Sequence, residues 1–132
     1  MRVVLDASAA MNLVMRSERA AVLIEWLESA QLVVSPALFQ SEVANALWKY
    51  VKAGVLSKDL ALERFDEAVG LVDQFEPDEA LVVEALSLAV HHGHPVYDLL
   101  YVVLAMRNGA RIMSTDARLL DLASKLDPSM LF

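Results

Sequence analysis

The sequence predicts one α/β domain, spanning residues 1–132, with a three-layer α/β/α architecture around a mainly parallel sheet of four to five strands. Two observations carry this prediction. Short β-branched and apolar runs alternate along the chain with longer stretches whose apolar residues recur at helical spacing, which is typical of α/β proteins. The first run, Val3-Val4-Leu5, also lacks the polar alternation of a half-exposed strand, which indicates a strand covered by helices on both faces.

The first half of the chain predicts two strands and four helices. The strands are residues 2–5 and 31–34, and the helices are residues 9–15, 18–29, 36–52 and 57–72. Ser35 and Pro36 are expected to start the third helix, since serine is a favoured N-cap residue and proline is favoured at the first helical position. Gly54 is expected to end that helix, and Ser57 is expected to cap the next one.

The second half of the chain predicts two further strands and three helices. The strands are residues 74–76 and 111–115, the helices are residues 77–92, 97–108 and 117–126, and residues 130–132 form a candidate edge strand. Pro95 cannot occupy a helix interior, so the sixth helix must begin after it. The middle of that helix, residues 99–106, is apolar on all sides and is therefore expected at the centre of the fold.

The composition argues against several classes of protein. The chain has no cysteine, which excludes disulfides and thiolate metal sites, and its longest apolar run is well below the roughly 18 residues of a membrane span. Asp6 interrupts the first apolar run, which argues against a signal peptide, and we expect a cytoplasmic protein without a membrane partner. The net charge of −7 argues against non-specific nucleic-acid binding. An apolar content of 57% indicates a large oligomer interface, although a dense core would also raise it.

Four acidic residues occupy positions that suit either chemistry or structure. Asp6 and Asp116 each follow a predicted strand directly, and Asp98 lies at the start of the most apolar helix. If the strands are parallel, these three acids lie at one edge of the sheet. Glu42 lies at the border of the buried face of the third helix, about 60° around the helix axis from Phe39. The alternative is that the aspartates cap helices or complement helix dipoles and that Glu42 is a solvated acid.

Acids gathered at one edge of a sheet are suitable ligands for a divalent cation. Mg²⁺ and Mn²⁺ prefer hard oxygen ligands and are usually held by a few carboxylates, several waters and a substrate phosphate. Such an ion activates water near neutral pH and neutralises charge that develops on a phosphate. Without a cation, crowded acids raise one another's pKa. The four acids therefore predict a metal site that acts on phosphate esters.

Four segments resemble the PIN-domain family, and within it the VapC-type toxins of prokaryotic toxin–antitoxin pairs. They are Val4-Leu5-Asp6-Ala7-Ser8, Ser41-Glu42-Val43-Ala44-Asn45-Ala46-Leu47, Val96-Tyr97-Asp98-Leu99-Leu100-Tyr101-Val102-Val103-Leu104-Ala105 and Ser114-Thr115-Asp116-Ala117-Arg118-Leu119. The resemblance covers essentially the whole chain, with the segments in the family's order and at its usual spacing. Each segment is short, but the four together are fairly specific.

The resemblance implies a PIN-like fold and a Mg²⁺- or Mn²⁺-dependent endoribonuclease that cuts RNA, forms a homodimer and is neutralised by a cognate antitoxin. The family's acidic quartet then corresponds to Asp6, Glu42, Asp98 and Asp116. The first three are expected to hold the metal directly or through water, and Asp116 to complete the site or orient water. The expected supporting polar residues are Ser8, Asn45, Ser114 and Thr115. The family often has threonine two residues before the last acid, where this chain has Ser114, which retains the hydroxyl.

Two other functions compete with a ribonuclease. A PIN-fold binding module without useful catalysis would keep the shape, but retention of all four acids argues against it. A phosphoryl-transfer or receiver-type domain using Asp6 would need a second acid two residues further on, or a phosphate-accepting aspartate after a middle strand. Ser8 stands at the first of these positions, and no such aspartate is found.

Several other residues fit structural roles more simply. His91, His92 and His94 are expected on the surface near the negative end of a helix, not as a metal site. Arg16, Arg19 and Arg118 flank the acidic end and could contact RNA phosphates, but a solvated surface position is the simpler interpretation. Four aromatic residues at helical spacing are expected in the core or at an interface, and these are Trp26, Phe39, Trp48 and Phe65.

Overall fold

The structure, a computed structural model, describes residues 1–132 and contains a four-stranded sheet with seven α-helices. The strands are β1 (Arg2–Leu5), β2 (Leu32–Pro36), β3 (Gln74–Glu76) and β4 (Arg111–Met113). The helices are α1 (Ala7–Val14), α2 (Ala20–Glu28), α3 (Leu38–Lys52), α4 (Lys58–Gly70), α5 (Val82–His92), α6 (Val96–Asn108) and α7 (Ala117–Leu126). Short 3₁₀ turns cover Asp78–Ala80 and Pro128–Met130.

All four strands are parallel, in the order β3-β2-β1-β4. β1 lies between β2 and β4, so that Val4 is opposite Val34 on one side and Ile112 on the other. The chain winds outward from β1 through β2 to β3 and then returns to place β4 on the opposite side of β1. The winding direction therefore reverses between β1 and β4, and in open parallel sheets the crevice beyond the carboxyl ends of two such strands is the usual ligand site.

Helices cover both faces of the sheet and form two cores. Val3 and Leu5 of β1 pack into the core beside α1 to α4, whereas Val4 packs into the core beside α5 to α7. These neighbouring strand residues face opposite layers because side chains alternate across a strand. α6 is buried from Leu99 through Ala105, as its apolar sequence predicts, but Met106, the last residue of the predicted central run, is 55% exposed. The expected three-layer fold with a parallel sheet is confirmed.

The predicted start of the third helix is wrong. Ser35 and Pro36 are the last residues of β2, and α3 begins at Leu38. The Ser35 hydroxyl donates a 2.7 Å hydrogen bond to the Leu5 carbonyl of the neighbouring strand and so does not cap the helix. Asp78, from the turn after β3, accepts a hydrogen bond from the Leu38 N–H instead. Pairing within the sheet keeps Ser35 and Pro36 in β2, and the cap of α3 comes from a residue that is distant in the sequence.

Other boundaries also differ from the predicted ones. The last strand stops at Met113, because the polar groups of the next two residues bond to the turn after β1. The 77–92 segment begins as a 3₁₀ turn and becomes helical only at Val82. Residues 130–132 add no strand; instead Met130 ends a 3₁₀ turn and is buried in the α5–α7 core. The Ser57 cap is present, with its hydroxyl accepting from the Leu60 N–H.

None of the seven helices has both the length and the apolar character that crossing a membrane requires.

Candidate functional site

Asp6 lies at the carboxyl end of the central strand, where β1 passes into α1. Its N–H donates to the Met113 carbonyl, which extends the β1–β4 pairing by one residue. Its carboxylate Oδ1 then accepts a 2.9 Å hydrogen bond from the Ala9 N–H and caps α1. The side chain is only 5% exposed. Asp6 is therefore an N-cap, as the structural alternative requires, but the cap also fixes a buried carboxylate at the point where the winding direction of the sheet reverses.

Two serine hydroxyls hold the Asp6 carboxylate. Ser114, just beyond β4, donates to Oδ2 at 2.6 Å, and Ser8 donates to Oδ1 at 2.8 Å. The Ser8 oxygen also accepts from the Thr115 N–H, and the Ser114 oxygen accepts from the Asp116 N–H. The turn after β1 and the turn after β4 are thus joined through one carboxylate.

Burial raises the pKa of the Asp6 carboxyl from 3.8 to about 6. The hydrogen bonds from Ser114, Ala9 and Ser8 oppose this change because they stabilise the ionised form, and the charge of Glu42 adds to it. With a pKa of about 6, a fraction of the Asp6 carboxyl groups stays protonated near neutral pH. A cation placed beside Asp6 would stabilise the ionised form.

Glu42 extends from α3 towards the same region. Its Oε1 accepts a 2.5 Å hydrogen bond from the hydroxyl of Tyr101 on α6. Burial raises the pKa of Glu42, as do the charges of Asp98 and Asp116, while the Tyr101 bond lowers it. Burial also raises the pKa of Tyr101, and the Glu42 charge raises it further, so the hydroxyl stays protonated and acts as a donor.

Asp98 lies in the first turn of α6, beside His94. Burial raises its pKa, the Asp116 charge adds to that rise, and His94 and Arg118 oppose it. His94 Nε2 is 3.4 Å from Asp98 Oδ2, but the geometry is not that of a hydrogen bond. His94 Nδ1 lies 3.0 Å from the Pro95 carbonyl oxygen, which can only accept, so this nitrogen carries the proton. His94 Nε2 therefore faces Asp98 without a hydrogen-bond partner in the protein.

Asp116 caps the last helix, with Oδ1 accepting from the Arg118 N–H. The charges of the four predicted acids act within the group: Glu42 raises the pKa of Asp6, Asp98 and Asp116 raise the pKa of Glu42, and Asp116 raises the pKa of Asp98. Even so, no group of three or more His, Asp or Glu side chains is arranged as a formed metal site. The donor set nevertheless suits a divalent cation, since it consists of hard carboxylate oxygens. Burial and neighbouring negative charges raise the pKa values of three of these acids, Asp6, Glu42 and Asp98.

Of the four predicted supporting residues, three belong to the hydrogen-bond network around Asp6 and one does not. Ser8, Ser114 and Thr115 belong to the network around Asp6. Asn45 lies one turn after Glu42 and lines a 340 Å³ groove with Ser8, but its side chain makes no hydrogen bond within the protein. The His91–His92–His94 segment forms no metal site.

Sequence reasoning missed three polar residues around the acids. Tyr101 was counted only as part of an apolar helix, although it lies three residues after Asp98 and so on the same helix face. His94 was grouped with the surface histidines, although it lies four residues before Asp98. Asn12 donates to the Ser8 carbonyl and to Thr115 Oγ1, and this link between α1 and the β4 turn leaves no signal in the sequence.

Comparison with known proteins gives one family. Residues 3–125 match the model of the PIN domain. The chain is 33% identical over 121 residues to "Ribonuclease VapC3" of Pyrobaculum aerophilum, covering 90% of this chain and 92% of that protein. It is 27% identical over 116 residues to "Ribonuclease VapC1" of Mycobacterium tuberculosis, covering 88% and 86%.

A solved structure has the same fold. The crystal structure of PAE2754 from Pyrobaculum aerophilum aligns with a TM-score of 0.72 over 92% of this chain and 78% of that one, at 24% identity. The four quoted segments all lie within the matched range, so the resemblance inferred from them is confirmed. The chain therefore belongs to the PIN-domain family and resembles the VapC ribonucleases within it.

Proposed function

We propose that this protein is a divalent-metal-dependent endoribonuclease and the toxin of a toxin–antitoxin pair, with Asp6, Glu42, Asp98 and Asp116 as its catalytic acids. One observation carries the proposal: four carboxylates from four different segments lie near the carboxyl end of β1, close enough that the charges of Glu42, Asp98 and Asp116 raise the pKa values of other members of the group. The VapC ribonucleases among its relatives support RNA as the substrate. The ion would be Mg²⁺ or Mn²⁺, and the protein would act in the cytoplasm.

Three of the acids have at least one oxygen that accepts no hydrogen bond from the protein. In Glu42 and Asp116 these oxygens are Oε2 and Oδ2, and in Asp98 neither oxygen accepts a hydrogen bond. Both oxygens of Asp6 accept hydrogen bonds, but each carboxylate oxygen has two lone pairs and can take a further partner. The four acids would hold the cation, and the chemistry that it supplies is activation of water and neutralisation of charge on the phosphate.

The chain's own residues would orient the reactants. In hydrolysis a water oxygen bonds to phosphorus, the bond from phosphorus to one ribose oxygen breaks, and that oxygen takes a proton. Glu42, steadied by Tyr101, and Asp116, fixed by its helix, present free oxygens that can accept the protons of the attacking water. Ser8 and Ser114 keep Asp6 in one orientation, and such supporting bonds set the positions of ligands in metal sites.

Cleavage of labelled single-stranded RNA tests the proposal. We expect cutting with Mg²⁺ or Mn²⁺, none with chelator, and none by Asp98→Asn purified in the same way. Asp66→Asn is the matched control, because Asp66 is exposed on α4 and makes no ion pair. Equal cutting by the wild type and Asp98→Asn would indicate a contaminant and would contradict the proposal.

The second candidate is a PIN-fold module that binds a partner without catalysis. Metal titration by calorimetry separates the two functions, because a module without catalysis has no need to bind Mg²⁺ or Mn²⁺. Wild-type protein that binds neither ion and cuts no RNA would favour the module.

Two exposed apolar surfaces support the proposed protein partners. The first is a groove of about 420 Å³ between α3 and α4, which is lined by Leu47, Trp48 and Leu62 among others. Trp48 is 55% exposed there, and a groove of this kind fits the apolar face of a helix, so we assign it to the antitoxin. The second is the outer face of α5, formed by Val83, Leu86 and Val90.

We assign the α5 face to a second copy of the chain. Val83, Leu86 and Val90 are spaced three and four residues apart and form one stripe on the helix. Antiparallel pairing about a twofold axis would place Val83 of one copy near Val90 of the other. It would also bring the acidic start of the helix, at Glu84, towards His91 and His92 at the other copy's helix end.

A further inference from the structure

A polar groove lies beside the acidic cluster, between the end of α5 and the outer face of α7. Its volume is about 190 Å³. It is lined by His92, His94, Arg118, Asp121, Leu122 and Lys125. Three of these six residues, His92, Arg118 and Lys125, carry a nitrogen that can donate to an anion. The only acid among the six, Asp121, is paired with Lys125 at 2.9 Å.

The groove adjoins Asp98 through His94 and Arg118. His94 Nε2 is 3.4 Å from Asp98 Oδ2, and the charge of Arg118 is near enough to lower the pKa of Asp98. Arg118 also follows Asp116 by two residues at the start of α7. The groove and the proposed catalytic acids are therefore neighbouring parts of one surface.

Arg118 is distinguished from the other arginines near the site by its lack of a protein partner. Arg16 lies 4.0 Å from Glu67, and Arg19 donates to the Thr115 carbonyl. The guanidinium of Arg118 makes neither an ion pair nor a hydrogen bond within the protein. The Arg118 guanidinium is therefore free to bind an anion. This local positive group stands on a protein whose net charge is −7.

We propose that this groove binds a backbone phosphate of the RNA strand, next to the phosphate that is cut. The proposal rests on the proposed ribonuclease function. Arg118 can contact two phosphate oxygens at once. Lys125 is paired with Asp121, but its ammonium group has three N–H donors and can give a further hydrogen bond to the phosphate. Such a contact sets the register of the strand without reading its bases. It also provides local attraction for RNA on a protein whose overall charge repels it.

Binding of a short single-stranded RNA in the inactive Glu42→Gln background tests the groove apart from catalysis. We would measure fluorescence anisotropy with Mg²⁺ over a range of KCl concentrations. Adding Arg118→Ala and Lys125→Ala together should weaken binding about tenfold at low salt and reduce the slope of log K against log [KCl] by roughly 0.7, the value for one phosphate on a single strand. Arg2→Ala is the control, because Arg2 is exposed at the opposite end of β1.

Replacing single phosphates by neutral methylphosphonates then locates the contact. One replacement, adjacent to the cut bond, should weaken binding to the Glu42→Gln parent but leave binding to the Arg118→Ala, Lys125→Ala protein unchanged. Equal binding constants and slopes for the groove variant and the Arg2→Ala control would overturn the subsite while leaving the ribonuclease intact. If wild-type protein neither binds nor cuts RNA, the proposed function fails and the subsite fails with it.

Discussion

The Ser114 hydroxyl donates a 2.6 Å hydrogen bond to Asp6 Oδ2, although 108 positions separate the two residues in the sequence. The contact is possible because β1 and β4 are parallel neighbours whose carboxyl ends lie side by side. It stabilises a carboxylate that burial would otherwise protonate. Among the three hydrogen bonds that favour the ionised form of Asp6, the one from Ser114 lowers the pKa most.

Ser114→Ala should raise the pKa of Asp6 further and weaken metal binding. The hydrogen bond that favours the ionised carboxylate is lost, and removal of such a supporting partner typically costs about 10- to 100-fold in metal affinity or activity. Isothermal titration with Mn²⁺ at pH 7 measures the effect. Ser114→Thr keeps the hydroxyl and should retain most of the affinity, so an equal loss in both variants would mean that packing matters and the hydroxyl does not.

The pKa of Asp6 predicts that stability falls as pH rises. The folded protein binds a proton at Asp6 up to about pH 6, whereas the unfolded chain releases it near pH 3.8. The free energy of unfolding should therefore decrease between these two pH values and stay lower above them, by roughly 3 kcal/mol for this group. Urea unfolding without metal from pH 4 to pH 7.5 measures the change.

Asp6→Asn isolates that contribution, since asparagine also caps helices well. The variant should lose less stability between pH 4 and pH 7 than the wild type and should equal or exceed it at pH 7. It should also gain less stability from Mg²⁺. A loss of more than about 1 kcal/mol at pH 7 would show that the capping and serine contacts of Asp6 outweigh the cost of its buried charge.

Tyr101→Phe should impair the position of Glu42 while leaving the core packed. The substitution removes only the hydroxyl that donates to Glu42 Oε1, which should cost about 1–2 kcal/mol in the free energy of unfolding. The pKa of Glu42 should rise further, because the Tyr101 bond lowers it. Urea unfolding and RNA cleavage at pH 6 and pH 8 measure both effects. Tyr50→Phe is the matched control, since the Tyr50 hydroxyl makes no hydrogen bond and is partly exposed; equal effects would contradict the role of Tyr101.

The fold could be predicted from the sequence because the patterns that indicate it extend over whole strands and helices. Unbroken apolar strands, and a helix that is apolar on all sides, leave few arrangements other than a covered parallel sheet. The errors arose where a distant contact determined a local boundary. Ser35 bonds to the Leu5 carbonyl and so ends a strand, and Asp78 supplies the helix cap that Ser35 was expected to give.

The candidate site was predictable in its acids and much less in its surroundings. Asp6 and Asp98 are marked by their position at a strand end and a helix start, and the parallel sheet then brings such positions together. Tyr101 and His94 carry no comparable mark. Tyr101 stands within an apolar run and His94 within a histidine-rich loop. Only the Tyr101–Glu42 hydrogen bond and the 3.4 Å contact between His94 and Asp98 show that each faces an acid.

A glutamate introduced on one of the two apolar surfaces should disrupt the partner contact at that surface and leave the other contact intact. Leu86 on α5 and Leu62 on α4 are 57% and 56% exposed, so replacing either by glutamate should cost little stability. Leu86→Glu should halve the mass measured by light scattering, since the new charge would lie near its own copy across the twofold axis. Leu62→Glu should remain dimeric but fail to bind the antitoxin. A monomeric wild type would contradict the dimer, and dimers in both variants would place the interface away from α5.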